Sequence, residues 1–449
     1  MGQSIIAALD LGTSKTIALA AQKDYAGKFS NLRIETLPSK NAIRRGRIYN
    51  SDETSEIISK LIRKLNNTPD MMQIEKIYVG IGGQSLHTQL FKVERKIEGE
   101  TITQQLLKSM KEEADAYLPE FEENLGAVSC EYYVDGQLVS NPKGIDDASR
   151  IEAHFLLVTG NPCLKRNLEK VFSKKEVSVA DYFISPLATA EAVLTSEEKE
   201  KGCALVELGD GITYISIYKN KALKYLMTLP LGGLAITKDI RSLNVSEDEA
   251  EVLKIEHGSV LSELADDDAA SVNVRYNPSR KVKLSELNWV IEGRVDEIVK
   301  NIKAQIQNSG YSQTLSAGIV ITGGGALLHN LPQYIRNQTG KEVRLADASA
   351  WINRMETQFS PADSCVAGLA IMGKESCVKE TLPKEKEQPV LQIFSDLEVE
   401  KVVITDKVLK PNFFRKVGTK IKKTIDDGVI IFKDDEPNNI QSDNTVNKQ

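Results

Sequence analysis

"AALDLGTSKTIALAA", residues 7–21, reads as two apolar strands interrupted by a polar tip. Between positions 10 and 15, Asp10, Gly12, Thr13, Ser14 and Lys15 supply a carboxylate, a flexible backbone, hydroxyls and a cation, the groups that a phosphate and its metal require. An ordinary hairpin tip needs fewer. "CALVELGDGITYISIY", residues 203–218, repeats the logic: an apolar strand, an acid (Glu207), Leu208, Gly209, a polar tip containing Gly211, then Thr213 and a second alternating strand. Two similar hairpins imply two similar half-domains. A third signal is "AGIVITGGGALLHNL", residues 317–331, where a β-branched run ends in Gly323, Gly324 and Gly325 before a helical pattern. Strand, glycine turn and helix start leave backbone N–H groups free for an anion and let the main chain approach it closely. Taken singly, each motif is more often a plain turn. Together they are harder to dismiss as three unrelated turns.

Composition bounds the rest. The chain has 449 residues, 41% hydrophobic and 27% charged, enough for two or more globular domains. Five cysteines lack CxxC spacing, which argues against a zinc site or a disulfide framework and suits a reducing compartment. The start has no basic segment followed by a signal-length apolar run, and no stretch of about 18 apolar residues occurs, so a cytoplasmic, non-spanning chain is expected. A net charge of −6 argues against nucleic acid as a partner.

The three glycine motifs resemble those of the actin, Hsp70 and sugar-kinase superfamily, and a longer set of segments resembles the FtsA-type bacterial cell-division proteins. Those segments are "RRGRIYN" (44–50), "IYVGIGGQSLH" (77–87), "FISPLATAEAVL" (183–194), "LPLGGLAITKDI" (229–240), "AEVLKIEHGS" (250–259) and "VIEGRVDEI" (290–298), in FtsA order. Between 83 and 162, "ITQQLLKSMKEEADAYL" places Leu106, Leu107, Met110, Ala114 and Leu118 at helical spacing. "AVSCEYYVDGQLVS" reads as a hairpin turning at Asp135-Gly136, and "IEAHFLLV" as a strand. The resemblance thus implies an α/β fold: a two-lobed actin-like ATPase fold with duplicated half-domains and an inserted small α+β, SHS2-like subdomain. The boundaries expected are 1–82 and 163–190 for the first half-domain (1A), 83–162 for the insertion (1C), 191–230 and 312–374 for the second half-domain (2A), and 231–311 for 2B. A linker over 375–409, a basic amphipathic segment over 410–432 and a disordered end over 433–449 complete the chain.

The resemblance carries Asp10, Gly12, Thr13, Ser14 and Lys15 to the first phosphate hairpin, and Glu207, Gly209, Gly211 and Thr213 to the second. It sets Gly232 and Gly233 in a turn near the phosphates, Glu251 and Lys254 at the ribose or adenine, and Gly323, Gly324 and Gly325 at the adenosine. ATP and Mg2+ are the implied cofactors, with Asp10 reaching the magnesium through water. Three departures bear on turnover: Glu207 where Asp is usual, Asp210 where a glycine would sit against the phosphates, and Ser185 where active ATPases carry Glu or Gln. A longer side chain displaces its carboxylate by about an ångström, and a serine without a histidine partner is a poor base. Weak ATPase activity at most is expected.

In the tail, "KPNFFRKVGTKIKKTIDDGVIIF" repeats Phe414, Val417, Ile421 and Ile425 at three- and four-residue spacing, flanked by Phe413 and by Lys410, Arg415, Lys416, Lys420, Lys422 and Lys423. An aromatic-tipped apolar stripe with cations along its flank is the pattern of a helix lying in an anionic membrane interface; a core-packing helix is the alternative. What the resemblance implies is an ATP-binding protein that polymerises on the inner face of the cell membrane at the division site. It would anchor FtsZ filaments there through its C-terminal amphipathic helix, holding the FtsZ C-terminal peptide, and recruit later division proteins. Two other readings remain open: a PilM-like pilus-assembly adaptor, and a true ATPase or phosphotransferase of the Hsp70 or sugar-kinase type. A diverged relative that has lost nucleotide binding is a further possibility, raised by Asp210.

Overall fold

The structure, a computed structural model, describes residues 4–39, 41–67, 73–173, 177–261, 271–275, 277–353 and 358–378. Its core is one topology built twice. In the first lobe, Ser4–Leu11, Lys15–Lys23 and Phe29–Pro38 form an antiparallel meander. Lys76–Ile81 and then Ser178–Ile184 add in parallel on the other side of Ser4–Leu11. In the second lobe, Cys203–Leu208, Thr213–Lys219 and Ala222–Leu229 make the same meander, with Ile319–Thr322 and Val343–Leu345 added in parallel beyond Cys203–Leu208.

Parallel strands covered on both faces read as continuous apolar runs, and so they do here: Ile6, Ala7, Ala8 and Leu9 are fully buried, as are Ala204, Val206, Val320 and Ile321. The two founding hairpins match in detail. Leu11 pairs with Thr16, and Leu208 with Thr213, so the same number of residues forms each tip. A Cβ on Gly12 would stand 2.6 Å from the Lys15 carbonyl oxygen, and one on Gly209 2.8 Å from that of Ile212. Each tip folds back too tightly for any side chain at that position.

The insertion follows Lys76–Ile81. His87–Lys96, Glu123–Val134, Gln137–Val139 and Arg150–Gly160 form its sheet, and the helix Gln104–Ala116, capped by the Thr103 hydroxyl, packs Leu107, Met110 and Ala114 onto it. The turn at Asp135-Gly136 has positive φ at both residues (48° and 83°), the form that matches strand twist in a tight hairpin. Leu118 departs from the sequence pattern: the helix stops at Ala116 and Leu118 is 84% exposed. Pro119 follows it, and a residue before proline is held out of the α region.

The inserted sheet joins the second lobe edge to edge through His87 and Met227. Around that seam the Thr88 hydroxyl accepts from the Leu226 amide (2.9 Å), the Thr228 hydroxyl donates to the Leu86 carbonyl (2.7 Å), and Lys224 pairs with Glu131.

Two helices close the floor between the lobes. Ser364–Met372 crosses Ser185–Val193 at Gly368, where any Cβ would land on the Ala188 carbonyl. Its C-terminal end is capped by Lys23, whose ammonium donates to the carbonyls of Ile371 and Gly373. Residues 375–378, expected in the linker, belong to the first lobe instead. Cys377 is buried, its amide donates to the Ile5 carbonyl (2.7 Å), and its carbonyl accepts from Glu75 (2.9 Å) and Lys76 (3.1 Å). The strands Ser4–Leu11 and Lys76–Ile81 pair only at Ala8 and Leu9, so their splayed starts leave backbone groups that Cys377 satisfies. The basic segment 410–432, with Phe413 through Ile425, and the acidic end lie outside the described residues. No helix among the described residues is long and apolar enough to cross a membrane.

Candidate functional site

The two hairpin tips meet where the lobes face one another. A Cβ on Gly211 would stand 2.7 Å from the Thr13 hydroxyl, so the tips are in contact across the cleft. Beside them opens a cavity of about 440 Å³. Asp10, Gly12, Thr13, Ser14 and Lys15 line it from the first lobe, and Glu207, Gly209 and Gly211 from the second. Gly233, Glu251, Lys254 and Gly323, Gly324 and Gly325 complete the group of assigned residues that it gathers.

Thr213 and Gly232 stand behind the wall. Thr213 is fully buried, and its hydroxyl donates to the Leu231 carbonyl (2.8 Å), spending on the fold the group expected at a phosphate. A Cβ on Gly232 would stand 2.5 Å from the carbonyl oxygens of Gly209 and Asp210. Its role is to let the helix Gly233–Ile240 dock on the hairpin, and the Gly233 amide is used the same way, donating to the Gly209 carbonyl (3.0 Å). The third glycine run is also set by close packing. Gly323 ends Ile319–Thr322 with φ +88°, and a Cβ there would strike the Leu208 carbonyl. A 3-10 turn, Gly324–Leu327, follows, and the α-helix begins only at Leu331.

Lys254 is the organising cation of the second lobe. Its ammonium lies 2.6 Å from Glu251, 2.8 Å from the Thr237 hydroxyl and 3.1 Å from the Gly233 carbonyl. It also faces Asp210, whose carboxyl burial pushes up and Lys254 pulls back down. The charge that Asp210 adds near the tip is therefore partly balanced. On the other side, Lys15 lies 3.9 Å from Asp363.

The floor of the cleft is acidic, with Asp10 and Glu207 both lining the cavity. Burial raises the Asp10 carboxyl, which accepts from the Cys365 thiol at 3.3 Å. Burial, with the nearby Asp10, pushes Glu207 up to about 8, and its Oε2 is buried without a hydrogen-bond partner. Glu207 therefore holds its proton at neutral pH, as an acid deprived of solvent does. Ser185, nearly buried, begins the helix Ser185–Val193 at this point, and the Tyr214 hydroxyl accepts from the Gly83 amide (2.7 Å).

Sequence reasoning assigned no role to Cys365, Tyr214, Gly46 or Arg47, all of which line the cavity. "RRGRIYN" was the visible signal for the last two. No three His, Cys, Asp or Glu side chains converge to hold a metal among the described residues. The Asp10 carboxylate, which lines the cavity, instead suits a cation that arrives with phosphates and keeps its waters.

Comparison with known proteins agrees with this architecture. The family model for "Cell division protein FtsA" matches residues 204–368, and that for "Type IV pilus assembly protein PilM" matches residues 8–267. Cell division protein FtsA of Porphyromonas gingivalis is 31% identical over 384 residues, covering 83% of this chain and 79% of its own length. That of Neisseria meningitidis serogroup B is 30% identical over 338 residues, covering 74% and 81%. Among solved structures, the PilM-PilN type IV pilus biogenesis complex superposes with a TM-score of 0.59 at 13% identity, over 82% of this chain and 97% of that one, a likeness of fold. On the strength of relatives that match it along most of both chains, this protein belongs to the FtsA family of cell-division proteins and has their actin-like fold.

Proposed function

We propose that the chain is a nucleotide-controlled membrane scaffold of cell division. ATP with Mg2+ binds between the lobes, the bound form self-associates into filaments, and the basic segment 410–432 attaches them to the anionic inner face of the cell membrane. There the protein holds the FtsZ C-terminal peptide and recruits later division proteins. The observation that carries this reading is the convergence of three glycine-rich turns from a duplicated fold on one cavity. A polyphosphate is the ligand that such turns suit, since glycine lets backbone amides come within reach of its oxygens.

Slow turnover fits the same site. Glu207 is protonated at neutral pH and cannot accept a proton from water, and no hydrogen bond joins Ser185 to a histidine among the described residues. Magnesium, when bound with the nucleotide, would neutralise phosphate charge, with Asp10 in reach of its water shell. The match to the PilM model supports a second reading, an adaptor of pilus assembly. Co-sedimentation of the full chain with anionic vesicles, with and without ATP and an FtsZ tail peptide, separates the two. The scaffold reading requires peptide capture on vesicles, lost when Phe414 and Ile421 are replaced by glutamate with ATP affinity unchanged. Vesicle binding that survives the double substitution refutes the role given to the tail, and failure to hold the peptide favours the adaptor.

A further inference from the structure

We infer that Arg47 is a phosphate-contacting residue of this cleft, selective for the terminal phosphate of a nucleoside triphosphate; the inference rests on the nucleotide reading above. Three lysine or arginine residues line the cavity: Lys15, Arg47 and Lys254. Lys254 is committed to Glu251 at 2.6 Å, and Lys15 lies 3.9 Å from Asp363. The Arg47 side chain, outside the backbone pairing of its strand, has no hydrogen-bond or ion-pair partner among the described residues. Asp10, Asp210 and Glu251 line the same cavity, so a polyanion entering it meets carboxylates and needs an uncommitted cation.

The backbone that presents Arg47 is fixed at the phosphate end. Arg44 pairs with Arg47 and Ile43 with Ile48 across a tight turn at Arg45 and Gly46, both with positive φ (48° and 70°). The Gly46 amide donates to the Thr13 hydroxyl (3.1 Å), and a Cβ on Gly46 would stand 2.9 Å from the Ile212 side chain. The ribbon is thereby docked where the two hairpin tips touch. Glu251, Lys254 and the 323–325 glycines come from other elements and are left for the rest of the nucleotide. An arginine fork binds two oxygens of one phosphate at once, which a lysine cannot reproduce. Its attachment to a turn held by Thr13 keeps it in place before the ligand arrives.

The test is calorimetric titration of the full chain with ATP, ADP and AMP, each with magnesium, for the parent, Arg47→Ala, Arg47→Lys and Arg44→Ala. Arg44 lies on the same ribbon, stacks on Tyr49 and does not line the cavity, so it controls for damage to the ribbon. Arg47→Ala should weaken ATP at least about tenfold, ADP clearly less and AMP not at all. Arg47→Lys should recover part of the loss, and Arg44→Ala should match the parent. Equal weakening of all three nucleotides, or none, in either Arg47 variant overturns the assignment while leaving the cleft a nucleotide site. A parent that binds none of the three overturns the nucleotide reading itself and the assignment with it.

Discussion

Replacing Glu207 with glutamine should make the protein more stable as the pH rises. Glu207 has its carboxyl pushed to about 8 by burial and by Asp10, whereas the unfolded chain titrates near 4.5. An acid with a raised folded pKa gives stability at low pH and loses it as pH climbs through that window, because the unfolded chain releases a proton that the native state keeps. The loss runs at about 1.4 kcal/mol per pH unit between roughly 4.5 and 8 and levels off above. It accumulates to about 5 kcal/mol, and the orphaned Oε2 gives the native state nothing in return. Glutamine has the same shape and no charge to lose. Urea unfolding followed by fluorescence of Trp289 and Trp351 from pH 5 to 9 should show the variant's advantage growing by about 3 kcal/mol from pH 5 to 7.5. Taking the difference between the curves cancels the groups that do not feel Glu207; of those that do, Cys365 and Tyr214 are raised well above their ordinary values by burial, which leaves Asp10. Parallel curves for parent and variant would refute the proton-holding role given to Glu207 at the cleft floor.

Two further substitutions probe the close approaches that shape the molecule. Gly368→Ala drives a methyl onto the Ala188 carbonyl where the two floor helices cross, and should cost about 1–3 kcal/mol, read as a lower thermal midpoint. An unchanged midpoint would mean that the helices do not pack that tightly. Gly211→Val puts a branched side chain against Thr13, 2.7 Å from its hydroxyl at the first atom, and should hold the hairpin tips apart. ATP affinity should fall at least about tenfold, read by equilibrium binding. Equal ATP affinity would show that the tips need not meet.

The duplication was legible from two acid-glycine hairpins, because a buried parallel sheet forces apolar runs and a tight tip forces glycine at fixed offsets. What the sequence could not show is which polar groups the fold would consume. Thr213 looks like a phosphate ligand in one dimension, but its hydroxyl closes the turn behind the wall. The Gly233 amide is likewise taken by Gly209. Leu118 kept helical spacing and lost its helix to Pro119, a local backbone constraint that periodicity ignores. Cys365 and Arg47 lie far from the hairpins in sequence and meet them only through the crossing of the last helix and the docking of the ribbon on Thr13. The segment after residue 374 looked charged enough to be a linker, yet Cys377 fills a gap between two splayed strands.

The central claim is that a nucleoside triphosphate sits between the lobes against the glycine turns. Its most direct test is equilibrium binding of ATP with magnesium to the full chain and to Gly324→Asp, with steady-state hydrolysis on the same samples. Gly324 lines the cavity and has open space around it, a Cβ there meeting only Ala362 at 3.7 Å, so the new carboxylate adds charge to the site without disturbing the fold. Tight binding by the parent, abolished in the variant, with little turnover is the predicted result. An ATP affinity that Gly324→Asp leaves untouched, or no binding by the parent, would contradict it.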